Sequence, residues 1–210
     1  MAEQSKKNTT KKYYDPISMA GRTRQFVHMV EDHDKMGMLA YIVKHSDVKQ
    51  TVVICKSKKR ADALVDYLSS HDVKTKAIHG NHRKSDQEEI AKAFKADEIH
   101  LLITTDMVLQ QLDLINIERI VSFDTPIEPD NYFKSLAFVD EKGESISLVS
   151  PEEEGLFSVI EMLLKIEIPD VEVEGFVPTK AVPVNKVAKG KKKKPRHRSQ
   201  KVKSKENNES

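Results

Sequence analysis

Five short apolar runs, separated by stretches with helical periodicity, most constrain what this chain can fold into. They occupy residues 51–55, 75–79, 99–105, 118–124 and 145–150. Near-continuous apolar strands that alternate with helices are typical of a parallel sheet with both faces covered. The sequence therefore predicts a three-layer α/β domain. Its mostly parallel sheet should have five or more strands, with helices on both faces.

The segments between these runs have one apolar helical face and recognisable helix starts. An early helix is predicted over about residues 33–46, and the next has apolar residues at the i, i+3, i+4, i+7 spacing. Ser57 is placed to cap that second helix. Ser85 and Glu88 form a capping-box pattern before another. Pro151 is expected as the first helical residue of the last one.

Charge divides the chain into an acidic body and basic ends. Residues 180–210 carry twelve Lys/Arg against two Glu, whereas residues 13–179 sum to −11. The block KGKKKKPRHR is typical of a disordered tail that binds polyanions, with a solubility tail as the alternative. We therefore expect a basic N-terminal extension (1–23), a globular domain (24–168), a proline-containing linker (169–185) and a disordered basic tail (186–210).

The apolar content also indicates a compartment. No apolar run reaches the ~18 residues of a membrane span, and the N-terminus lacks the apolar core of a signal peptide. The single cysteine, Cys55, lies inside an apolar run and cannot form an intrachain disulfide, so we expect a buried structural thiol. These features predict a cytoplasmic protein.

Basic residues cluster at two places where predicted strands end. The turn 56–60 (KSKKR) carries four cations and a hydroxyl. After His79, Gly80 allows close approach of a ligand to the backbone, and Arg83 and Lys84 follow at a helix start. Ligands of parallel sheets collect at the carboxyl ends of strands, and helix N-termini favour anions. The pattern predicts a phosphate-binding edge, with solvated loop charge as the alternative.

Several common active-site patterns are absent. The sequence has no G-x-x-x-x-G-K-[ST] loop for a triphosphate, no G-x-S-x-G and no H-E-x-x-H. His79 and His82 have no cysteine or second histidine pair nearby, so no metal site is predicted. The glutamates at 152–154 are better explained by the helix dipole than by acid–base catalysis. No catalytic residue is predicted.

The order of these segments resembles a known family. The segments VVICKSKKRADALVDYL, IHGN, AKAF, LLITTD with a later LD, FDTP and SISLVSPEEE occur in the same order in the second RecA-like domain of the DEAD-box RNA helicases. The resemblance covers about residues 24–178, and IEIPDVEVEGFVP is similar to the segment that follows this domain in bacterial members. It implies the RecA-like form of the α/β fold.

The resemblance also implies roles for individual residues. Ser57 matches a hydroxyl that touches an RNA phosphate, and Gly80 falls in the loop that offers backbone groups to the next phosphates. Thr105 and Asp106 match a Thr–Asp pair of which the threonine lies near RNA. Asp113 matches the acid that meets the ribose of ATP.

Two motifs of this family are altered at the predicted edge. The family's glutamine and arginine, three residues apart, fall on Lys84 and Gln87. Its arginine–glycine pair falls on Gln110 and Gln111. Amides can still form hydrogen bonds with RNA, but they do not replace the arginine's charge.

A third motif, which contacts the terminal phosphate of ATP in the family, is lost. A run with histidine, glycines and three arginines is replaced by residues 134–138 (KSLAF), with a shortening before Gly143. Arginine fingers contribute on the order of 10³–10⁵ in rate, so their loss predicts negligible turnover. The sequence also lacks a first helicase domain. We therefore predict no cofactor, with ATP binding not expected in the isolated chain and Asp113 vestigial.

These observations predict a non-catalytic RNA-binding protein derived from a DEAD-box helicase C-terminal domain. The predicted contacts at the strand-end edge are Lys56, Ser57, Lys58, Arg60, Gly80, Asn81, Arg83, Lys84, Thr105, Asp106 and Gln110. Those in the tail are Lys191, Lys192, Lys193, Lys194, Arg196 and Arg198. The expected partner is RNA or a ribonucleoprotein, without a membrane, and the tail should supply most of the affinity because the body is acidic.

Two alternatives have different partners. The domain could be an adaptor or regulator that binds a separate helicase or an RNA-processing protein. It could also be half of an RNA helicase ATPase that a partner domain completes in trans.

Overall fold

The structure is a computed structural model that describes residues 18, 21–47, 49–112, 114–115 and 117–179. The strands are β1 (Arg24–Met29), β2 (Thr51–Ile54), β3 (Lys76–Ile78), β4 (Leu101–Thr104), β5 (Ile117–Ser122) and β6 (Val139–Val149). The helices are α1 (Lys35–His45), α2 (Lys58–Ser70), α3 (Lys84–Lys95), α4 (Asp106–Leu109), α5 (Pro129–Leu136) and α6 (Glu154–Leu164). Within these ranges, no helix is long and apolar enough to cross a membrane.

The six strands form one sheet in the order β1-β6-β5-β2-β4-β3. Every neighbouring pair is parallel. In the central strand β2, Val52 lies opposite Leu102 of β4 and Ile120 of β5. Because all strands point the same way, their carboxyl ends meet at one edge of the sheet. The predicted three-layer α/β fold with a parallel sheet is confirmed.

Alternate residues of the central strands face opposite layers of helices. Val53 packs with Leu39 of α1 and Leu64 of α2 on one face. On the other face Val52 packs with Phe94 of α3, in a cluster that also contains residues of α4. This alternation follows from the two-residue period of a strand, and it explains why both β2 and β4 are apolar at every position except their threonines.

The sheet end formed by β1 and β6 has its own core cluster with α5 and α6. Val27 and Val149 pack there against Tyr132, Ile160 and other apolar residues of these helices. The buried Tyr132 hydroxyl donates to Gln25 Oε1 at 2.8 Å. Burial raises the pKa of Tyr132 to about 12, so this hydroxyl stays protonated and remains a donor.

One of the three predicted helix starts is confirmed. The Ser57 hydroxyl accepts a hydrogen bond from the Arg60 amide at 3.3 Å, so Ser57 caps α2. The capping box at Ser85 and Glu88 is wrong, because α3 already begins at Lys84 and Ser85 lies inside its first turn. The prediction for Pro151 is also wrong: residues 151–153 form a turn, and α6 begins at Glu154.

Three elements were not predicted from the sequence: β1, the four-residue helix α4, and α5. Strand β1 mixes polar and apolar residues (RQFVHM), and it lies at the sheet edge beside β6. Helix α5 has eight residues, too few for a clear helical period. The predicted linker is described as far as Thr179. The predicted tail, 186–210, lies outside the described residues.

Candidate nucleic-acid interface

The carboxyl ends of β2, β3 and β4 surround a cavity of about 620 Å³. Seven of the predicted contact residues line it: Lys56, Ser57, Lys58, Gly80, Thr105, Asp106 and Gln110. Three turns that are distant in sequence therefore converge on one space, because their strands are neighbours and parallel. Four other predicted edge residues, Arg60, Asn81, Arg83 and Lys84, do not line the cavity.

The turn after β2 joins the turn after β3 through a side-chain contact. Lys58 Nζ donates to Asn81 Oδ1 at 2.8 Å. Ser57, Lys58, Lys59 and Asn81 are all exposed to solvent. This contact places a lysine, a serine and an amide side by side on the rim of the cavity.

Arg60, in contrast, points back into the protein. Its Nε lies 2.9 Å from Asp124 Oδ1, its Nη2 pairs with Asp32, and its guanidinium lies 5.1 Å from the centre of the Phe123 ring. Burial would raise the pKa of Asp32, but the hydrogen bond and charge of Arg60 outweigh it and hold that pKa below its ordinary value. The structure therefore gives Arg60 a structural role at the border of the site.

Asp124 also partly neutralises the charge of Lys56. The buried carboxylate accepts from the Lys56 amide at 3.0 Å, and Lys56 Nζ lies 3.3 Å from its other oxygen. The Lys56 side chain remains about half exposed, unlike that of Arg60. Of the four cations in the turn, two are thus partly neutralised by one buried acid that follows β5.

Hydrogen bonds within the turn after β3 set its shape. His79 Nε2 lies 2.7 Å from Asp62 Oδ1, and the rings of His79 and His82 stack at 4.1 Å. Gln87 Nε2 donates to the carbonyls of His79 and His82 at 3.3 and 3.0 Å. Gly80, held at the tip, has open space where a Cβ would stand, so its backbone is accessible to a ligand.

Two more predicted cations stand beyond this turn. Arg83 and Lys84 are exposed at the start of α3, where Asp86 is the acidic residue of the first turn. Cations at a helix N-terminus are unfavourable in the helix dipole. An anion bound nearby would relieve this repulsion.

The stretch after β4 begins with Thr105, whose carbonyl accepts from the amides of Val108 and Leu109 at 3.0 and 2.9 Å. Burial and the nearby charge of Asp124 raise the pKa of Asp106 above its ordinary value. Gln110 Nε2 donates to Asn131 Oδ1 at 3.3 Å, which ties this stretch to α5. Asp113, the predicted ribose contact, lies outside the described residues, as do the six tail residues from Lys191 to Arg198.

The segment that joins α5 to the amino end of β6 is filled by packed side chains. Only residues 137–138 separate α5 from β6. Ser135 is buried and donates to the Tyr132 carbonyl at 2.7 Å, and Leu136 is buried beside it. Phe138 packs against the core cluster around Ile117. The run 134–138, which replaces the family's arginine-containing run, therefore has an exposed lysine followed by side chains that are buried or half-buried.

The sequence analysis missed a buried ion pair at the carboxyl ends of β5 and β6. Lys35, at the start of α1, is fully buried, and its Nζ donates to the Phe123 carbonyl at 3.0 Å and to Glu153 Oε2. The Ser150 amide donates to the same carboxylate at 3.3 Å. Glu153 was assigned only to the helix dipole, whereas its main partner is Lys35. The signal was present, because Lys35 shares one helical face with Leu39 and Ile42.

Comparison with known proteins identifies the domain. Residues 34–136 match the family described as helicase conserved C-terminal domain. The ATP-dependent RNA helicase eIF4A of Yarrowia lipolytica is 24% identical over 160 residues, which cover 75% of this chain and 40% of that protein. Eukaryotic initiation factor 4A of Dictyostelium discoideum is 26% identical over 162 residues, again 40% of its length. The chain thus spans about two fifths of these relatives.

Solved structures share the fold. The Escherichia coli DEAD-box protein SrmB, bound to regulator of ribonuclease activity A, has a TM-score of 0.69 at 18% identity, covering 77% of this chain and 96% of that one. Saccharomyces cerevisiae Dbp5 bound to RNA and ADP BeF3 has a TM-score of 0.65 at 19% identity, covering 71% and 41%. These findings confirm the resemblance. Residues 34–136 match the helicase conserved C-terminal domain, and the domain has the fold of DEAD-box proteins.

Proposed function

We propose that this domain binds RNA phosphates through its strand-end edge and does not turn over ATP. The observation that supports the proposal most is the convergence of Ser57, Lys58, Gly80 and Thr105 on one open cavity. Exposed hydroxyl, ammonium and backbone groups are typical phosphate contacts, and they position a nucleic acid without reading its sequence. The structure of S. cerevisiae Dbp5 bound to RNA supports the partner by analogy.

The cations that carry this function are the exposed ones. Lys58, Lys59, Arg83 and Lys84 are exposed to solvent, whereas Arg60 is held by two acids. When a surface lysine or arginine contacts a phosphate, counterions are released from the RNA, which favours binding. We therefore exclude Arg60 from the predicted RNA-binding residues and include Lys59 instead.

Acidic groups at the same edge limit its strength. Asp106 and Glu128 line the cavity together with the cations. The whole body, residues 13–179, carries a net charge of −11. The electrostatic field of this negative charge repels RNA beyond direct contact range. We therefore assign the positioning of the RNA to the edge and most of the electrostatic attraction to the basic tail.

The proposed absence of turnover rests on the packed segment between α5 and β6. Catalysis of phosphoryl transfer depends on positioned charges near the terminal phosphate. In the run 134–138, which replaces the family's arginine-containing run, Ser135 and Leu136 are buried and Phe138 packs against a core cluster. No arginine occurs between Arg119 and Arg196, and Arg119 pairs with Glu144 at 2.7 Å. A partner domain would therefore find no arginine here to complete its site.

The deciding measurement is the affinity for a structured RNA at several salt concentrations. The double variant Lys58→Ala/Lys59→Ala should reduce the slope of log K against log salt by about one to two, since each phosphate contact contributes ~0.7–0.9. Lys74→Ala/Lys76→Ala is the matched control, because it removes the same charge from exposed positions beside the amino end of β3. Equal slopes for the two variants would exclude the edge as the RNA site.

Deletion of residues 186–210 tests the tail separately. Affinity at low salt should fall steeply while the effect of Lys58→Ala/Lys59→Ala persists. RNA-stimulated ATP hydrolysis, measured with and without an added first helicase domain, should stay at background in both cases. Turnover in the mixed sample would support the ATPase half completed in trans instead.

A second candidate function, an adaptor that binds a protein, is favoured by one observation. The outer face of α6 and the residues after it expose a continuous apolar stripe: Leu156, Val159, Met162, Leu163 and Ile166. An apolar helix face without a partner is typical of a protein contact. Met162→Lys should then abolish a nuclease-resistant complex that Ile115→Lys, an equally exposed position in a loop, leaves intact.

A further inference from the structure

Helix α6 is apolar on two opposite sides. Its buried side chains pack into the core cluster beside β1 and β6: Phe157, Ile160 and Leu164. Leu156, Val159 and Leu163 follow the i, i+3, i+7 spacing on the other side, where Met162 lies beside them at 68% exposure. A helix that is apolar all round is normally buried all round. The outer side of α6 therefore has the composition of a surface that a partner covers.

Negative charge is concentrated around this apolar stripe. Residues 151–179 contain eight Asp/Glu and one cation, Lys165, which gives a net charge of −7. Residues 13–179 carry −11, so residues 13–150 carry only −4. Three exposed acids that precede and follow the stripe in the sequence are called the acidic rim: Glu152, Glu154 and Glu167. An apolar stripe and an excess of acids therefore occupy the same part of the domain.

Contacts within the domain explain only part of this charge. Glu153 is buried and paired with Lys35. Among the described residues, no ion pair includes a member of the acidic rim. The helix dipole favours Glu152 and Glu154 at the N-terminus of α6, but not Glu167, which follows the C-terminus. The charge of the rim is therefore available to a cationic partner.

We propose that the apolar stripe and the acidic rim form a docking surface for a basic amphipathic helix of another protein. The apolar side chains of that helix cover the stripe, and its lysines or arginines face the acidic rim. An apolar centre with a polar border is the usual anatomy of a protein interface, and opposite charges at the border favour the right partner. This inference rests on the second candidate function, the adaptor, and names the chemistry of its partner. It does not depend on RNA binding.

The form of the partner follows from the shape of the stripe. Helix α6 has eleven residues, so the stripe runs for about 16 Å along one helix. Rows of side chains on such a helix pack into the grooves of a second helix. Gly155 lies four residues before Val159 on the same side, and a Cβ there would meet nothing within 4 Å, so the two backbones can come close. A second copy of this chain is disfavoured, because it brings another charge of −7 to the contact.

The probe is a synthetic helical peptide of about 14 residues built from leucine and lysine, with the leucines at the i, i+3, i+4, i+7 spacing. Two control peptides separate the apolar contact from the charge contact. In the first, the same residues are scrambled so that no apolar face forms. In the second, glutamate replaces every lysine. Only the leucine–lysine peptide carries both features that the docking surface requires.

Methionine methyl signals in NMR spectra locate the bound peptide on the full-length chain. Met162 and Met107 are 68% and 73% exposed, but Met107 lines the cavity of the proposed RNA site. The leucine–lysine peptide should shift the Met162 signal and leave the Met107 signal unchanged. It should do so at about a tenfold lower concentration than either control peptide. Equal shifts of the two signals, equal potency of a control peptide, or no shift of Met162 would overturn the proposal.

A neutral substitution tests the apolar part of the surface. Met162→Gln removes an exposed apolar side chain without changing the charge, and it should weaken binding of the leucine–lysine peptide about tenfold in calorimetry. Met107→Gln, at a position of similar exposure, is the matched control and should leave the affinity unchanged. Equal affinities of the two variants would contradict a contact at the stripe.

A pair of isosteric substitutions tests the acidic rim. Glu154→Gln/Glu167→Gln should weaken binding of the leucine–lysine peptide at low salt and reduce the dependence of its affinity on salt. Glu88→Gln/Glu89→Gln removes the same charge from exposed positions on α3 and should have little effect. Equal losses from the two pairs would show a general attraction to an acidic body, and the proposal would then fail.

Two other occupants of the stripe give different results. A dimer in sedimentation analysis that Met162→Gln dissociates would identify a second copy of the chain. A Met162 signal that moves when residues 186–210 are deleted, with no peptide present, would identify the chain's own basic segment. Either result would refute the proposal. These measurements contain no RNA, so failure of RNA binding at the edge would leave their outcome unaffected, and Met162→Gln should not change the affinity for RNA.

Discussion

Two regions of the domain differ in how they treat polar groups. Around the carboxyl ends of β2, β3 and β4, the open part, polar side chains surround a cavity and face solvent. Where α5 joins the amino end of β6, the closed part, Ser135 and Leu136 are buried and Phe138 packs against the core. Both parts sit on the same parallel sheet. The fold therefore supports a binding surface without requiring a catalytic one, and function must be argued from each part separately.

The largest effect is expected at the buried ion pair beside the carboxyl ends of β5 and β6. Lys35→Met removes the partner of the Glu153 carboxylate and the donor to the Phe123 carbonyl in a buried site. An unpaired buried charge typically costs about 3–5 kcal/mol, so the free energy of unfolding in urea should fall by that amount. Lys44→Met, on the exposed side of α1, should change it by less than about 0.5 kcal/mol.

A second variant checks this reason. Lys35→Met/Glu153→Gln removes the charge left by the first substitution, so part of the lost stability should return. If the double variant were as unstable as Lys35→Met, the loss would come from packing and not from the unpaired carboxylate.

The next effect tests whether the closed part is core or a vacant catalytic loop. Ser135→Arg restores a guanidinium near where the family carries one, but it places this group in a buried site beside Tyr132. We expect a loss of about 2–4 kcal/mol in the free energy of unfolding and no gain in ATP hydrolysis. Lys134→Arg at the exposed neighbouring position should be neutral. If the Ser135→Arg protein were as stable as the parent, the closed part would not belong to the core, and the two parts would not differ in this way.

The general fold could be predicted because its central strands are apolar almost throughout. Val52 and Val53 face opposite helix layers, and this double burial makes β2 apolar at successive positions. Strand β1 escaped prediction because it mixes polar and apolar residues: Gln25 and His28 are buried there and hydrogen-bond to Tyr132 and to the Val171 carbonyl. The position of β1 in the sheet is determined by its pairing with β6, and no local pattern of the sequence predicts this pairing.

The candidate site could be predicted in its position but not in the direction of each side chain. The order of strand ends placed Lys58 and Gly80 at one edge, and both line the cavity. Arg60 could not be assigned from its turn alone, because its two acidic partners, Asp32 and Asp124, come from other strand ends. A cation at a strand end is thus available to contact a ligand only when it does not form an ion pair with a buried acid nearby.

Two neighbouring cations of the open part sharpen this point. Arg60→Ala leaves the buried Asp124 without its guanidinium, so stability should fall by about 1–3 kcal/mol. Lys59→Ala, at an exposed position, should stay within about 0.5 kcal/mol of the parent but lower the salt slope of RNA binding by ~0.7–0.9. Urea unfolding and RNA titration of both variants provide the comparison. Equal stability of the two would show that Arg60 is free to bind RNA.

The smallest effect concerns Asp106, an acidic residue of the open part. Burial and the charge of Asp124 raise its pKa above the ordinary value of 3.8, so the folded state holds this proton more tightly than the unfolded state. Stability from this group is complete below the unfolded pKa and is lost as pH rises through the folded pKa. Asp106→Asn should therefore raise the free energy of unfolding at neutral pH, by less than about 1 kcal/mol.

The pH dependence distinguishes this cause from a change in packing. The gain from Asp106→Asn should shrink as pH falls toward 3.8, because the carboxyl of the parent protein becomes neutral as well. Asp66→Asn, on the exposed face of α2, is the control and should give no gain at neutral pH. A gain that stays constant across the acid range would mean that the amide stabilises the stretch after β4 by its hydrogen bonds. The acidic side chains of the open part would then not lower the stability of the fold. No cations would be needed to offset their negative charge beside an RNA site.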